Sequence, residues 1–188
     1  YIFHVSTFGG GSLCLLNLVK ELNKEKFQPI VLLKSLGPLC EKLEKVGATV
    51  IIEPSINAVP YNRSLFKIRS IRQIILMLLS IKRVKYWMQK TEAEIVHINT
   101  MMMYPYAIPA YKLKRKVIIH IREHWPVKEN VLQLNFAKKI IKKYTDLIIA
   151  INKTSADIIN LPNKTEIIYD WIDFKDRDEF IDFKNIFG

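Results

Sequence analysis

Short runs of valine, isoleucine and leucine recur along the chain, separated by stretches whose apolar residues return every three to four positions. The first run, "YIFHVS" (1–6), reads as a buried strand. Three glycines follow, and then a helix that Ser12 is placed to cap, with Leu15, Leu18, Val19 and Leu22 on one face. "QPIVLLK" (28–34) is a second strand, and "GPLCEKLEKVG" (37–47) a short helix opened by Pro38 and closed by Gly47. "ATVIIEP" (48–54) is a third strand. A loop with Pro60 and Asn62 leads into a long helical stretch over 64–91. Strands are expected again at "AEIVHIN" (93–99), "RKVIIHIRE" (115–123), "DLIIAIN" (146–152) and "TEIIYDW" (165–171). Helices fill the spaces between them at 101–113 (interrupted by Pro105 and Pro109), 129–144 and 153–161. Strands that are apolar on both faces and alternate with helices predict an α/β fold. It is a doubly wound, mainly parallel, Rossmann-like sheet of about seven strands with helices on both faces.

With 188 residues, 49% of them apolar, the chain suffices for one domain with a real core, or one domain plus a tail. The most apolar run, "IILMLLS" (74–80), is far too short to span a bilayer, and no secretory signal is visible, so the expected location is the cytoplasm. The sequence begins inside an apparent strand, so a few native residues are expected ahead of Tyr1. Cys14 and Cys40 lie in helical apolar patterns and are expected as buried free thiols of a reducing compartment. The sequons at Asn62, Asn152 and Asn163 carry no weight without a secretory signal.

Charge changes the picture more. The formal net charge is +11, yet residues 170–188 hold six acids and three bases, so the positive excess lies in 1–169. Such a field favours anionic partners: phosphorylated small molecules, nucleic acid or anionic lipid. Between Pro54 and Thr91 there is no acid but there are eight bases, Arg63, Lys67, Arg69, Arg72, Lys82, Arg83, Lys85 and Lys90. Ile68, Ile71, Ile75, Leu78 and Leu79 add an apolar stripe at helical spacing. Two readings stand: a core-facing stripe with a solvated basic face, or a face lying on an anionic membrane surface. The bases lack interleaved surface aromatics, so no nucleic acid is expected as a partner.

Half of the chain's six glycines sit together at Gly9, Gly10 and Gly11. In a doubly wound sheet the turn after the first strand opens a helix N-terminus at the carboxyl edge, where bare backbone, free N–H groups and the helix dipole favour an anion. Gly9, Gly10, Gly11 and Ser12 are therefore candidate contacts to a phosphate or sugar phosphate; a tight turn and nothing more is the plainer alternative. The stretch is not a dinucleotide fingerprint. Cys14 stands where a third glycine belongs, and Lys34 and Ser35 where an acid would hold a ribose, which leaves an NADP-binding domain open through Lys34. His97 and Asn99 end the fourth strand and are candidate substrate contacts. His120, Arg122, Glu123 and His124 end the fifth, with His120 and Arg122 on one face and Glu123 opposed. The histidines within the strands read more readily as buried, hydrogen-bonded core residues. Arg122, Glu123 and His124 are costly to bury unpaired, and they form the candidate catalytic group. The set has no clean metal-ligand spacing, and no metal is expected.

These stretches together resemble a known family. "GGGSLCLLNLVKEL", "AEIVHIN", "KVIIHIRE", "DLIIAINKTSADII" and "IIYDWID" are similar, in order, to motifs of the N-terminal domain of family-four retaining glycosyltransferases, which have the GT-B fold. The resemblance covers residues 1 to about 174. It implies an acceptor-side Rossmann-like domain at 1–170, then at 171–188 a hinge and the start of a C-terminal donor-binding domain that this sequence lacks. It implies sugar transfer, with retention, from a nucleotide sugar to a saccharide or lipid-linked acceptor in polysaccharide or lipid-linked oligosaccharide synthesis. Backbone N–H groups at Gly10–Ser12 and nearby bases would stabilise the leaving diphosphate without an obligatory metal, the nucleotide sugar being substrate and no cofactor being needed. The fragment alone is expected to be inactive, and the basic helix would rest on the inner face of the plasma membrane. The pattern departs from the family at Asn99 and Arg122, where histidines are usual, at Asn152, where a serine is usual, and at Asp170-Trp171, where the hinge has Asn-Gly. Against this reading stands a non-catalytic phosphate- or sugar-binding α/β module that docks on a partner or membrane.

Overall fold

The computed structural model describes residues 1–60, 68–123 and 131–170. The expectations for Arg63, Lys67, His124 and the 171–188 hinge fall outside them, as does the Ile68 side chain. The strands are β1 (Ile2–Phe3), β2 (Ile30–Leu33), β3 (Thr49–Ile52), β4 (Ile95–Ile98), β5 (Lys116–Ile121), β6 (Leu147–Ala150) and β7 (Thr165–Ile167). The helices are α1 (Gly10–Glu21), α2 (Pro38–Lys45), α3 (Ile68–Lys90), α4 (Ala107–Lys112), entered through a 3-10 turn at Met101–Tyr106, α5 (Val131–Tyr144) and α6 (Lys153–Ile159). The strands form one sheet in the order β3-β2-β1-β4-β5-β6-β7, parallel at every pairing. The predicted doubly wound fold is the observed one.

Alternation along the strands divides the core. Phe3, Val31 and Leu33 face α1 and α2, packing on Leu15, Val19, Leu39 and Leu43. Ile2, Leu32, Ile98, Ile119 and Ile121 face the other way, onto residues of α3, the 3-10 turn, α4, α5 and α6. Right-handed crossovers impose this split: connections running from β1 toward β3 lie on one face, and those running from β4 toward β7 on the other. The winding reverses between β1 and β4, so a crevice opens outside their carboxyl ends.

One local expectation is corrected, and one of the two readings of α3 is excluded. Ser12 is not the cap of α1. Gly9 is, and Ser12 lies one turn inside, its hydroxyl donating to the Thr7 carbonyl at 2.7 Å. The apolar stripe of α3 does not face the core. Ile71, Ile75, Leu78 and Leu79 are exposed, while Ser70, Met77, Ser80, Val84 and Met88 are buried. Polar anchors set the helix's rotation. The Ser80 hydroxyl lies 2.6 Å from the hydroxyl of buried Tyr106, which donates to the Asn57 carbonyl at 3.0 Å. Gln73 donates to the Ala58 carbonyl at 2.8 Å, and Trp87 Nε1 to the buried Glu53 carboxylate at 2.8 Å. Turning the stripe inward would leave these buried groups unpaired, at about 1–3 kcal/mol each.

Candidate functional site

The chain leaves β1, passes Ser6 and enters α1 through the glycines, on the β1 side of the crevice. Gly9 is extended (φ −174°, ψ 173°), and none of the three glycines has a positive φ. A Cβ on Gly9 or Gly10 would meet no atom within 4 Å; on Gly11 it would make ordinary contact, at 3.6 Å, with Arg122 Cδ and Phe3 Cζ. Neither backbone strain nor crowding within the described chain therefore demands glycine at 9 and 10. Gly37, at the start of α2, is different: a Cβ there would sit 2.5 Å from the Ser6 carbonyl oxygen. Ser6 and Ser35 hydroxyls are also 2.9 Å apart, and the Leu39 N–H donates to Ser6 O at 3.1 Å, so the loops after β1 and β2 are stapled together. At the glycine turn the Ser12 N–H donates back to Gly9 O at 3.0 Å. The amides of Gly10 and Gly11 have no acceptor among the described residues, and they are the first free donors of the helix.

Across the crevice, β4 and β5 supply Asn99 and Arg122. Asn99 Nδ2 donates to the Gly11 carbonyl at 3.3 Å, tying strand to turn. Arg122 is nine-tenths buried. Its Nη1 is paired with the Asp170 carboxylate, its Nη2 approaches His120 Nδ1 at 3.1 Å and Asn99 Oδ1 at 3.4 Å, and its Nε has no partner. A guanidinium only donates, so His120 Nδ1 accepts and the neutral ring carries its proton on Nε2, which faces Asp170 at 3.9 Å. Burial, and then the charge of Arg122, push His120 down to about 4, against a weaker upward pull from Asp170. Burial, and then the Asp170 carboxylate, push the neighbouring Cys14 thiol up to about 11, so it is not a thiolate. Asp170 follows β7, just as Arg122 follows β5, and the two departures from the resembled motifs touch one another.

The structure brings Gly9–Ser12, Asn99 and Arg122 together. It does not bring His97, Glu123 or Lys34 with them, and His124 lies outside the described residues. His97 is buried in the sheet between Tyr1 and His120, with ring centroids 5.0 and 5.6 Å away. Burial, with His120 next to it, drives its pKa well below the ordinary value. Glu123 faces the other way, as alternation requires. Its carboxylate accepts from the Thr100 hydroxyl, from the Met101 N–H at 3.1 Å and from the Arg122 N–H at 3.1 Å, pinning the start of the 3-10 turn. Lys34, the contact offered for an NADP phosphate, donates to Asn57 Oδ1 at 2.8 Å. Sequence reasoning missed Asp170 as a site residue; the signal available was an acid at a strand's carboxyl end, in "IIYDW".

The arrangement, free amides and a buried guanidinium facing across a switch-point crevice, suits an anionic ligand. Comparisons with known proteins agree with the fold. Anabaena HepE, crystallised with UDP and glucose, is 19% identical, with a TM-score of 0.65 over 93% of this chain and 44% of that one. Acinetobacter baumannii MurG is 14% identical, with a TM-score of 0.59 over 95% and 48%. A UDP-N-acetylglucosamine 2-epimerase is 11% identical, with a TM-score of 0.54 over 89% and 47%. The chain thus spans less than half the length of each of these structures. No curated protein matches it. The sequence profile of Glycosyltransferase Family 4 matches residues 8–176, nearly the whole chain from the glycine turn onward, and the chain belongs to that family.

Proposed function

We propose that this chain is the N-terminal, acceptor-side domain of an enzyme that transfers a sugar from a nucleotide sugar to a saccharide or lipid-linked acceptor in polysaccharide or lipid-linked oligosaccharide synthesis. One observation carries the reading: at the switch point, two glycines that nothing in the described chain requires face open space beside unpaired amides and a buried arginine. A diphosphate leaving group fits that chemistry. The amides of Gly10 and Gly11 and the Arg122 guanidinium would take up charge as the glycosidic bond to the nucleotide breaks. Donor binding falls mainly to a further domain reached through 171–188. That HepE and MurG are about twice as long supports this division. In the full-length enzyme, labelled sugar is expected to pass from a nucleotide sugar to acceptor, while the 188-residue chain alone transfers none. Turnover by the isolated chain would overturn the division of labour.

The acceptor side is read as resting on an anionic membrane. No helix among the described residues is long and apolar enough to cross a bilayer. However, α3 shows solvent an apolar face of Ile71, Ile75, Leu76, Leu78 and Leu79 beside Arg69, Arg72, Lys82 and Lys85, with no acid in the helix. On the same side of the sheet α5 exposes Leu132 and Phe136, and its Gln133 holds the Pro60 carbonyl at 2.7 Å. Helices in this fold begin at the sheet's carboxyl edge, so both apolar ends lie toward the crevice. An apolar face bordered by cations suits the headgroup region of an anionic bilayer.

A further inference from the structure

Among the described residues Arg122 has one anionic partner, Asp170, and that partner stands where a ligand would arrive. The other two acceptors, His120 Nδ1 and Asn99 Oδ1, are neutral and belong to buried side chains, whereas the Asp170 side chain is one-quarter exposed. The carboxylate therefore forms the solvent side of the guanidinium's surroundings. Its carboxylate is also met by the Cys14 thiol and by His120 Nε2 at 3.9 Å, both neutral, while its backbone is lightly held among the described residues. The last backbone bond before it is Ile168 N–H to Ala150 O at 3.0 Å, and Ile168 and Tyr169 are both exposed. A phosphate approaching from the Gly10–Gly11 amides meets like charge at Asp170, and the one charged fork at Arg122 is already engaged.

We propose that Asp170 is an internal competitor for the anionic ligand: its carboxylate occupies the phosphate position on Arg122 in the free domain and swings away when phosphate binds. The exchange swaps one carboxylate for one phosphoryl group on the same guanidinium, and no covalent bond changes. It sets a threshold, because a ligand with a single weak charge does not displace the carboxylate while a diphosphate does. This rests on the reading that Arg122 takes an anionic group of the ligand, and the experiment separates the two claims.

The probe is inorganic pyrophosphate, titrated calorimetrically into the 188-residue chain and its variants. Asp170→Asn is expected to tighten pyrophosphate by about three- to five-fold, the upper end of what a competing partly exposed ion pair is worth. The same substitution in an Arg122→Gln background is expected to gain less than about two-fold, because only the general field of the removed charge remains. A second readout does not depend on binding by the Arg122 variant. In amide NMR spectra the Tyr169 resonance is expected to move, on adding pyrophosphate to the parent chain, toward its position in ligand-free Asp170→Asn. Equal gains in both backgrounds, no gain at all, or a Tyr169 resonance that stays in place would overturn the competitor role. Pyrophosphate binding to none of the variants would instead overturn the underlying reading of Arg122 and the glycine turn.

Discussion

Replacing Gly10 with alanine should make the domain more stable and the enzyme worse. Gly10 is the first residue of α1, and a Cβ there meets nothing within 4 Å. Alanine at a compatible glycine position reduces the freedom of the unfolded chain and adds about 0.4–1 kcal/mol of stability. For a domain of this size, 1 kcal/mol raises Tm by roughly 2–4 °C. The same methyl group enters the space from which the diphosphate would reach the Gly10 and Gly11 amides. Displacing reacting groups by about 1 Å costs on the order of 100-fold in rate, so sugar transfer by the full-length enzyme should fall between ten- and a hundred-fold. Gly11→Val is the poorer test, because its side chain would press on Arg122 and Phe3 and confuse access with packing. Thermal unfolding of the domain and transfer by the full-length enzyme, measured on the same variant, check both halves. Wild-type transfer by a stabilised Gly10→Ala enzyme would return the glycines to a mere turn, and a loss of stability would show that the space above Gly10 is not open.

Four further expectations follow from the same geometry. Glu123→Ala should destabilise the domain by about 2–3 kcal/mol, because the Met101 N–H and the Thr100 hydroxyl lose their charged acceptor; wild-type urea unfolding would mean that the 3-10 turn holds itself. Arg122→Lys should lower transfer clearly, since an ammonium cannot reach Asp170, His120 and Asn99 at once; if it is mild while His124→Ala is severe in transfer assays, the histidine does the work instead. His120 is neutral in the folded state and is lowered from 6.5 to about 4, so the unfolded chain binds the extra proton between those values; stability should fall as pH drops from 6.5 toward 4, by up to about 1.4 kcal/mol per unit. His120→Gln should lessen that slope in urea titrations at pH 7 and 5, buried His97 supplying part of the remainder, and an unchanged slope would place the proton uptake elsewhere. Vesicles containing anionic lipid should bind the domain in a salt-sensitive way, at up to about 1 kcal/mol per base. Reversing Arg69, Arg72, Lys82 and Lys85 to glutamate should abolish this, and equal binding to neutral vesicles would remove charge as the cause. Arg83 is left out because it donates to buried Glu53 at 3.3 Å.

The sheet was legible because a strand covered on both faces writes a continuous apolar run, and only helical crossovers fit between parallel strands. The carboxyl-edge residues of β4 and β5 were legible for the same reason, since alternation alone puts Arg122 and Glu123 on opposite faces. Two features were not. The partner of Arg122 follows β7, two strands away from β5 in the sheet, and no local pattern says which distant strand end will fold beside it. The rotation of α3 stayed open between two readings because its hydropathy points one way and its hydrogen bonds the other. Ser80, Gln73 and Trp87 find partners in Tyr106, Ala58 and Glu53, all distant in sequence, and those bonds outweigh the stripe.

The contact between Gly37 and Ser6 bears on how specificity can be altered. Loops at the carboxyl edge of such sheets are often treated as separable modules, exchanged one at a time to retune an acceptor pocket. Here the loop after β2 cannot be exchanged alone. Any side chain at position 37 meets the Ser6 carbonyl, and the Ser6–Ser35 contact and the Leu39 N–H bond pull on the same residue, three positions before the helix cap Gly9. A graft that displaces Ser6 would carry the glycine turn with it and alter the proposed anion site even if no other residue of that site had changed. Chimeras of this domain should therefore move residues 4–12 and 34–40 as one piece.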